Sequence, residues 1–144
     1  MKNRVFLDTN ILIYALTKPK VAEDIYKRDI AIKLLENLIQ QNDIYISIQI
    51  LNEVHVNLVK KFKIDDEKVF KTIKDNILAI ASVNDMSFQT YQRAFKLRKK
   101  YNISYWDSLV VSSSTESDCK TLYSEDMQDN LIIENKLQII NPFK

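Results

Sequence analysis

Apolar residues recur along this chain in two alternating patterns. Arg4-Val-Phe-Leu7 and Asp43-Ile-Tyr-Ile46 are short, nearly continuous apolar runs, the pattern of strands buried on both faces of a parallel sheet. Lys120-Thr-Leu-Tyr123 and Leu137 to Ile140 read as third and fourth strands of the same kind. Between them the spacing becomes helical. Thr9 to Leu16 predicts a helix that ends near Lys18-Pro19, because proline cannot continue it. Ala22 to Gln40 predicts a long amphipathic helix with Ile25, Ile32, Leu35 and Ile39 facing the core. Ser47 can cap a helix running to about Phe62. Ile64-Asp65-Asp66 opens another, and Ile77 to Val83 either finishes it or forms a short strand. Periodicity alone does not separate those two options. Ser87 to Lys100 is helical again, and Ser104 caps a helix from Tyr105 to about Glu116.

Strands that alternate with helices pair in parallel, and the crossover helices cover both faces of the sheet. The expectation is one α/β domain over residues 1–144, three-layered α/β/α, with a central, mainly parallel sheet of about four to five strands. No linker, internal repeat or low-complexity segment divides it. In such folds ligands collect at the carboxyl ends of the strands.

Composition narrows the chemistry. The chain contains no glycine, so phosphate-cradling loops and dinucleotide-binding turns, which need glycine for close backbone approach, are excluded. Asn and Asp must serve where the backbone turns left-handed. The single cysteine, Cys119, excludes an intramolecular disulfide and a cysteine-clustered metal site. It reads as an inert core thiol, compatible with a reducing, cytoplasmic setting. A formal net charge of +2 does not announce a nucleic-acid partner by itself. Asp8 and Asn10 interrupt the apolar amino-terminal region, which argues against a signal peptide. No stretch reaches membrane-spanning length, so no membrane partner is expected.

Four acids stand out against this frame. Asp8 directly follows the first strand, and Asp126 follows the third after only Ser124 and Glu125. A carboxylate at the end of an apolar strand is costly to desolvate unless something cationic meets it. Glu53 borders the stripe Ile50, Val54 and Leu58 of its helix. Asp107 flanks the pattern Trp106, Leu109, Val110 and Ser113, in a first helical turn where the macrodipole favours negative charge. Taken singly, each acid has an ordinary structural role: Asp8 could cap the helix at Thr9, and Asp107 could be a first-turn acid. Together at one crevice they would repel, and Mg²⁺ or Mn²⁺, which prefer oxygen ligands, resolves that conflict. Such ions can clamp a phosphodiester for hydrolysis.

At these residues the sequence resembles the PIN-domain ribonucleases, in particular the VapC-type toxins of prokaryotic toxin–antitoxin pairs. The resemblance lies in Val5-Phe-Leu-Asp-Thr-Asn-Ile-Leu-Ile13, Ser47-Ile-Gln-Ile-Leu-Asn-Glu53, Ser104-Tyr-Trp-Asp-Ser-Leu-Val110 and Leu122-Tyr-Ser-Glu-Asp-Met-Gln128. An Asp-Thr-Asn triplet is a weak signal; four blocks in order along the whole chain are a strong one. The resemblance implies a PIN-like fold, with Asp8, Glu53, Asp107 and Asp126 as catalytic, metal-binding acids and Asn10 and Ser124 as polar supports. It also implies RNA hydrolysis with Mg²⁺ or Mn²⁺, a homodimer, and inhibition by a small antitoxin protein. One departure is visible. Related sequences often carry glycine shortly after the Ser-Glu-Asp segment, where this chain has Asp129-Asn130; asparagine should preserve that turn. Adjacent strand residues point to opposite faces, so Asp126 rather than Glu125 is assigned to the site.

The remaining polar residues read as structural. His55, the only histidine, lies on a different helix face from Glu53 and should be a partly exposed structural residue. Trp106 could stack on a base, but its place in the apolar stripe predicts core packing. The clusters Lys60, Lys61, Lys63 and Lys96, Arg98, Lys99, Lys100 could follow an RNA backbone or simply solvate helix ends. Ser112 to Thr115 forms a small-residue helix face with no histidine base nearby. Three other functions compete with the regulated endoribonuclease. An RNA-processing nuclease without antitoxin would share the site. A non-catalytic binding module could share the fold. A haloacid-dehalogenase-type phosphatase with Asp8 as nucleophile usually carries a second Asp two residues later, where this chain has Asn10.

Overall fold

The structure, a computed structural model, describes residues 2–144. Strands β1 (Arg4–Leu7), β2 (Asp43–Ser47), β3 (Ala81–Asn84), β4 (Thr121–Tyr123), β5 (Ile132–Ile133) and β6 (Leu137–Ile140) form one sheet in the order β3-β2-β1-β4-β6-β5. Every neighbouring pair runs parallel except β5 with β6, a hairpin. Helices α1 (Thr9–Leu16), α2 (Ala22–Gln41), α3 (Ile48–Lys60), α4 (Asp66–Thr72), α5 (Phe88–Tyr101) and α6 (Tyr105–Glu116) flank it. The layered α/β expectation holds, with six strands instead of four to five.

The two added strands have different origins. Ile77 to Val83 turns out to do both things its pattern allowed. A π-helical turn at Ile73–Ile77 closes the segment begun by α4, and Ala81–Asn84 pairs with β2. Strand β5 spans only two residues, too few to reveal any period.

The core is built from the inward residues of the strands, with Phe6, Leu7, Ile46, Leu122 and Ile139 fully buried. Ile11 and Leu12 of α1 and Ile50 and Leu58 of α3 complete it. The face of α2 differs from the expectation: Ile25 and Ile39 are 47% and 45% exposed, while Ala31 and Leu38 are buried. Leu35 packs against the core as expected, so only the ends of the expected stripe, Ile25 and Ile39, fall outside the buried face.

Local chemistry sets the boundaries. The hydroxyls of Ser47, Ser87 and Ser104 accept from backbone N–H groups of α3, α5 and α6, satisfying donors that a helix leaves unpaired at its start. Without glycine, left-handed backbone falls to Asn102, Asp118, Asn130 and Asn135, and also to Lys63 and Glu134. Asn130 (φ 68°) preserves the turn after the Ser-Glu-Asp segment, as expected.

Candidate active site

The carboxyl ends of β1 and β4 are joined where the Asp8 N–H donates to the Tyr123 carbonyl at 3.0 Å. Asp8 then caps α1: its Oδ1 accepts from the Thr9 N–H at 2.8 Å. Its Oδ2 accepts from the hydroxyl of Ser124, a fully buried residue just after β4, at 2.8 Å. The structural and chemical readings of Asp8 are thus compatible, since each oxygen retains a lone pair after these bonds.

Glu53 is brought to the same place by α3. Its Oε2 accepts from the buried Thr9 hydroxyl at 2.6 Å and its Oε1 from Gln49 Nε2 at 3.0 Å. Asp107 arrives in the first turn of α6, where its N–H donates to the Ser104 hydroxyl. Asp126 stands exposed at the rim, accepting from Asn10 Nδ2 at 3.1 Å. All four acids line one crevice of about 160 Å³, together with Thr9, Asn10, Gln49, Asn57, Trp106 and Val110. No lysine, arginine or histidine is among the lining residues.

The electrostatic consequence is visible in the carboxyls. Burial pushes Asp8 up to about 6, with Asp107 and Glu53 adding repulsion while the Thr9 and Ser124 bonds pull it back. Asp126 is also raised, by loss of solvent and then by Glu125 and Asp107, against a lowering by Lys27. In both, loss of solvent is the largest cause and neighbouring acids add to it.

Glu125 is placed otherwise. It accepts from the Tyr14 hydroxyl at 2.8 Å and pairs with Lys27, and it does not line the crevice. β4 ends at Tyr123, so the two neighbouring acids diverge through the bend after the strand and not through strand alternation.

Among the described residues, no three acidic, imidazole or thiol groups converge tightly enough to cage a metal ion directly. The four carboxylates instead stand around the walls of the crevice. An all-oxygen donor set that does not converge on one point suits a hard cation that retains several waters and takes one or two protein carboxylates, as Mg²⁺ does.

A family model described as the PIN domain matches residues 5–131. The chain belongs to the PIN-domain family. Its fold is similar to that of VapBC2 from Rickettsia felis, solved bound to a DNA fragment from its promoter. That likeness has TM-score 0.68 and 25% identity, covering 96% of this chain and 99% of that one. A toxin–antitoxin complex from Klebsiella pneumoniae matches with TM-score 0.68 and 20% identity, covering 96% and 97%. VapC20 of Mycobacterium tuberculosis, a toxin that cleaves the sarcin–ricin loop, matches with TM-score 0.64 and 10% identity, covering 82% and 86%. Among curated proteins no sequence match is found. The PIN-domain match contains all four crevice acids.

Two residues in this PIN domain's crevice had no role in the sequence reading, and a third was assigned to the core by it. Thr9 ties Asp8 to Glu53, Gln49 holds the other Glu53 oxygen, and Trp106 forms part of the wall. Thr9 sits inside the Asp-Thr-Asn triplet, so the triplet itself was the available signal. Trp106 corrects an expectation: it is 63% exposed and not part of the core. His55 is half-buried and bonded to Asp66 at 2.7 Å, the structural role expected. Cys119 is buried, and burial pushes its thiol up to about 12, so it is inert.

Proposed function

We propose that this PIN domain is a metal-dependent endoribonuclease and the toxin of a toxin–antitoxin pair. The observation that carries the chemistry is the set of four carboxylates in one crevice with no cation among its lining residues. Asp8, Glu53, Asp107 and Asp126 would hold Mg²⁺ or Mn²⁺. When bound, such ions would supply positive charge for the phosphodiester, the attacking water and the departing oxygen.

The chain's own residues prepare that site. Ser124 and the Thr9 N–H fix the Asp8 carboxylate through one bond to each oxygen. Thr9 and Gln49 hold Glu53 in the same way, and Asn10 steadies Asp126. Locked carboxylates lose little freedom when a ligand binds, which raises affinity. In hydrolysis water adds to phosphorus, one P–O bond breaks, and the leaving oxygen takes a proton.

An antitoxin partner is supported by the two toxin–antitoxin assemblies among the similar structures. A homodimer acting in the cytoplasm is part of the same proposal, supported by the resemblance to VapC-type toxins. The test is incubation of purified, partner-free protein with total RNA and tRNA in EDTA, Mg²⁺ or Mn²⁺. Discrete fragments that require the metal are expected. Absence of cleavage of every RNA by folded, metal-supplied protein would overturn the nuclease reading.

A further inference from the structure

One wall of the crevice is aromatic. Trp106 lines it and leaves 63% of its surface in solvent. Tyr105, beside it, and Phe95, on the neighbouring helix α5, are 43% and 50% exposed. Uncovered aromatic surface is costly in water, so three such rings grouped together mark a contact surface and not a scattered apolar residue.

These rings are held in a fixed arrangement. Tyr105 and Trp106 meet edge to face, 5.1 Å between centroids. The Arg98 guanidinium lies 4.7 Å from the Tyr105 ring and 5.6 Å from the Phe95 ring. Its Nη1 donates to the Ser108 hydroxyl at 2.9 Å, tying α5 to α6. Lys99 Nζ lies 5.5 Å from the Phe95 ring. The acidic crevice is therefore bordered by a strip that alternates π faces with cations.

We infer that Trp106, Tyr105 and Phe95, with Arg98 between them, form a platform on which unpaired bases of an RNA strand stack beside the crevice. The inference rests on the ribonuclease reading above and names the residues that would position the strand at that site. Unpaired bases expose π faces that stack on aromatic rings and guanidinium planes, while the adjoining cations meet the phosphates. A duplex hides those faces. Trp106 immediately precedes Asp107 in the first turn of α6, so a base on the indole sits next to a phosphate at the acids. The interleaved cations favour a polyanion over a second copy of this chain, whose corresponding strip would bring like charges together.

Trp106 is the only tryptophan, so its fluorescence reports on this surface alone. The whole protein is titrated in EDTA with unstructured oligoadenylate, with an RNA duplex and with inorganic polyphosphate. Quenching by oligoadenylate, little by the other two, is expected. With Mg²⁺, Trp106→Ala should raise KM for an unpaired RNA that the wild type cleaves by roughly 5- to 100-fold, the loss of one stacked base. kcat should change less, and Trp106→Phe should restore most of the affinity. Cleavage with no quenching and an unchanged KM in Trp106→Ala would overturn the platform and leave the nuclease standing. Quenching without cleavage of any RNA would support the platform and overturn the nuclease reading. A Trp106 signal that follows protein concentration, confirmed by sedimentation, and ignores RNA would assign the face to a second copy and overturn the inference.

Discussion

Glu125 and Asp126 are neighbours in sequence and sit in opposite electrostatic settings. Glu125 has its countercharge within the chain: Lys27 pairs with it and the Tyr14 hydroxyl donates to it. Lys27 is accordingly held well above its usual range, chiefly by the bond to Glu125, and Tyr14 is pushed up to about 12 by burial and then by the same carboxylate. Asp126, with Asp8, Glu53 and Asp107, faces a crevice whose lining contains no cation. One acid is finished as a structural element; the others line the crevice without a paired cation, the charge that the proposed divalent ion would balance. The contrast locates chemistry better than size does. A larger cavity of about 350 Å³ lies between α5, the start of β4 and the β5–β6 turn. Its wall sets Arg93, Lys96, Lys120 and Lys136 against only Asp118 and Glu134, so its lining carries excess positive charge, the opposite of the acid crevice.

The contrast can be broken by substitution. Asp8→Asn keeps the shape and the cap acceptor but removes the charge at the centre of the unpaired group. It should lower RNA cleavage by roughly 10²-fold or more, since metal-held charge stabilisation contributes several kcal/mol. Initial rates under saturating Mg²⁺ measure it, and a variant within a few-fold of wild type would contradict the assignment.

Acidity offers a second test. Asp8 rises from 3.8 to about 6 on folding, so the folded state holds its proton more tightly than the unfolded chain does. This contribution to stability is complete below about pH 4 and is lost as pH rises through about 6, up to about 3 kcal/mol in metal-free protein. Urea unfolding in EDTA across that window should show the decline, and Asp8→Asn should flatten it.

Glu125→Gln sharpens the comparison from the other side. Losing the Lys27 pair should cost about 1–3 kcal/mol of stability, read by denaturant midpoint, while cleavage by the folded variant falls much less than in Asp8→Asn. The smallest effect is expected from Ser124→Ala, which removes one bond to Asp8 worth about 0.5–1.5 kcal/mol. Because that bond lowers the Asp8 pKa, the acid limb of the pH–rate profile should move upward.

Much of this arrangement was legible because each acid is tied to a local pattern. Asp8 ends an apolar run, Ser47 and Ser104 cap the helices that carry Glu53 and Asp107, and Asp126 trails β4. Parallel pairing then brings the strand ends to one edge. What escaped notice depends on tertiary surroundings. α6 buries Ser108 through Ser114 in an unbroken run, so Leu109, Val110 and Ser113 of the expected stripe are enclosed while Trp106, its first member, lies before the enclosed segment begins. The buried face of α2 centres on Ala31 and Leu38 with Leu35 packed beside the core, so the apolar residues expected at its two ends, Ile25 and Ile39, lie outside it. Thr9 as a bridge between Asp8 and Glu53 depends on α3 crossing near the start of α1, which no spacing along the chain reports.

The central claim is that the four crevice acids are completed by a divalent cation, and calorimetric titration of Mn²⁺ into partner-free protein tests it most directly. Binding to wild type and to Glu125→Gln, with heat largely abolished in Asp8→Asn, is the predicted result. Equal binding by Asp8→Asn, or no binding by folded wild type with or without RNA, would contradict it.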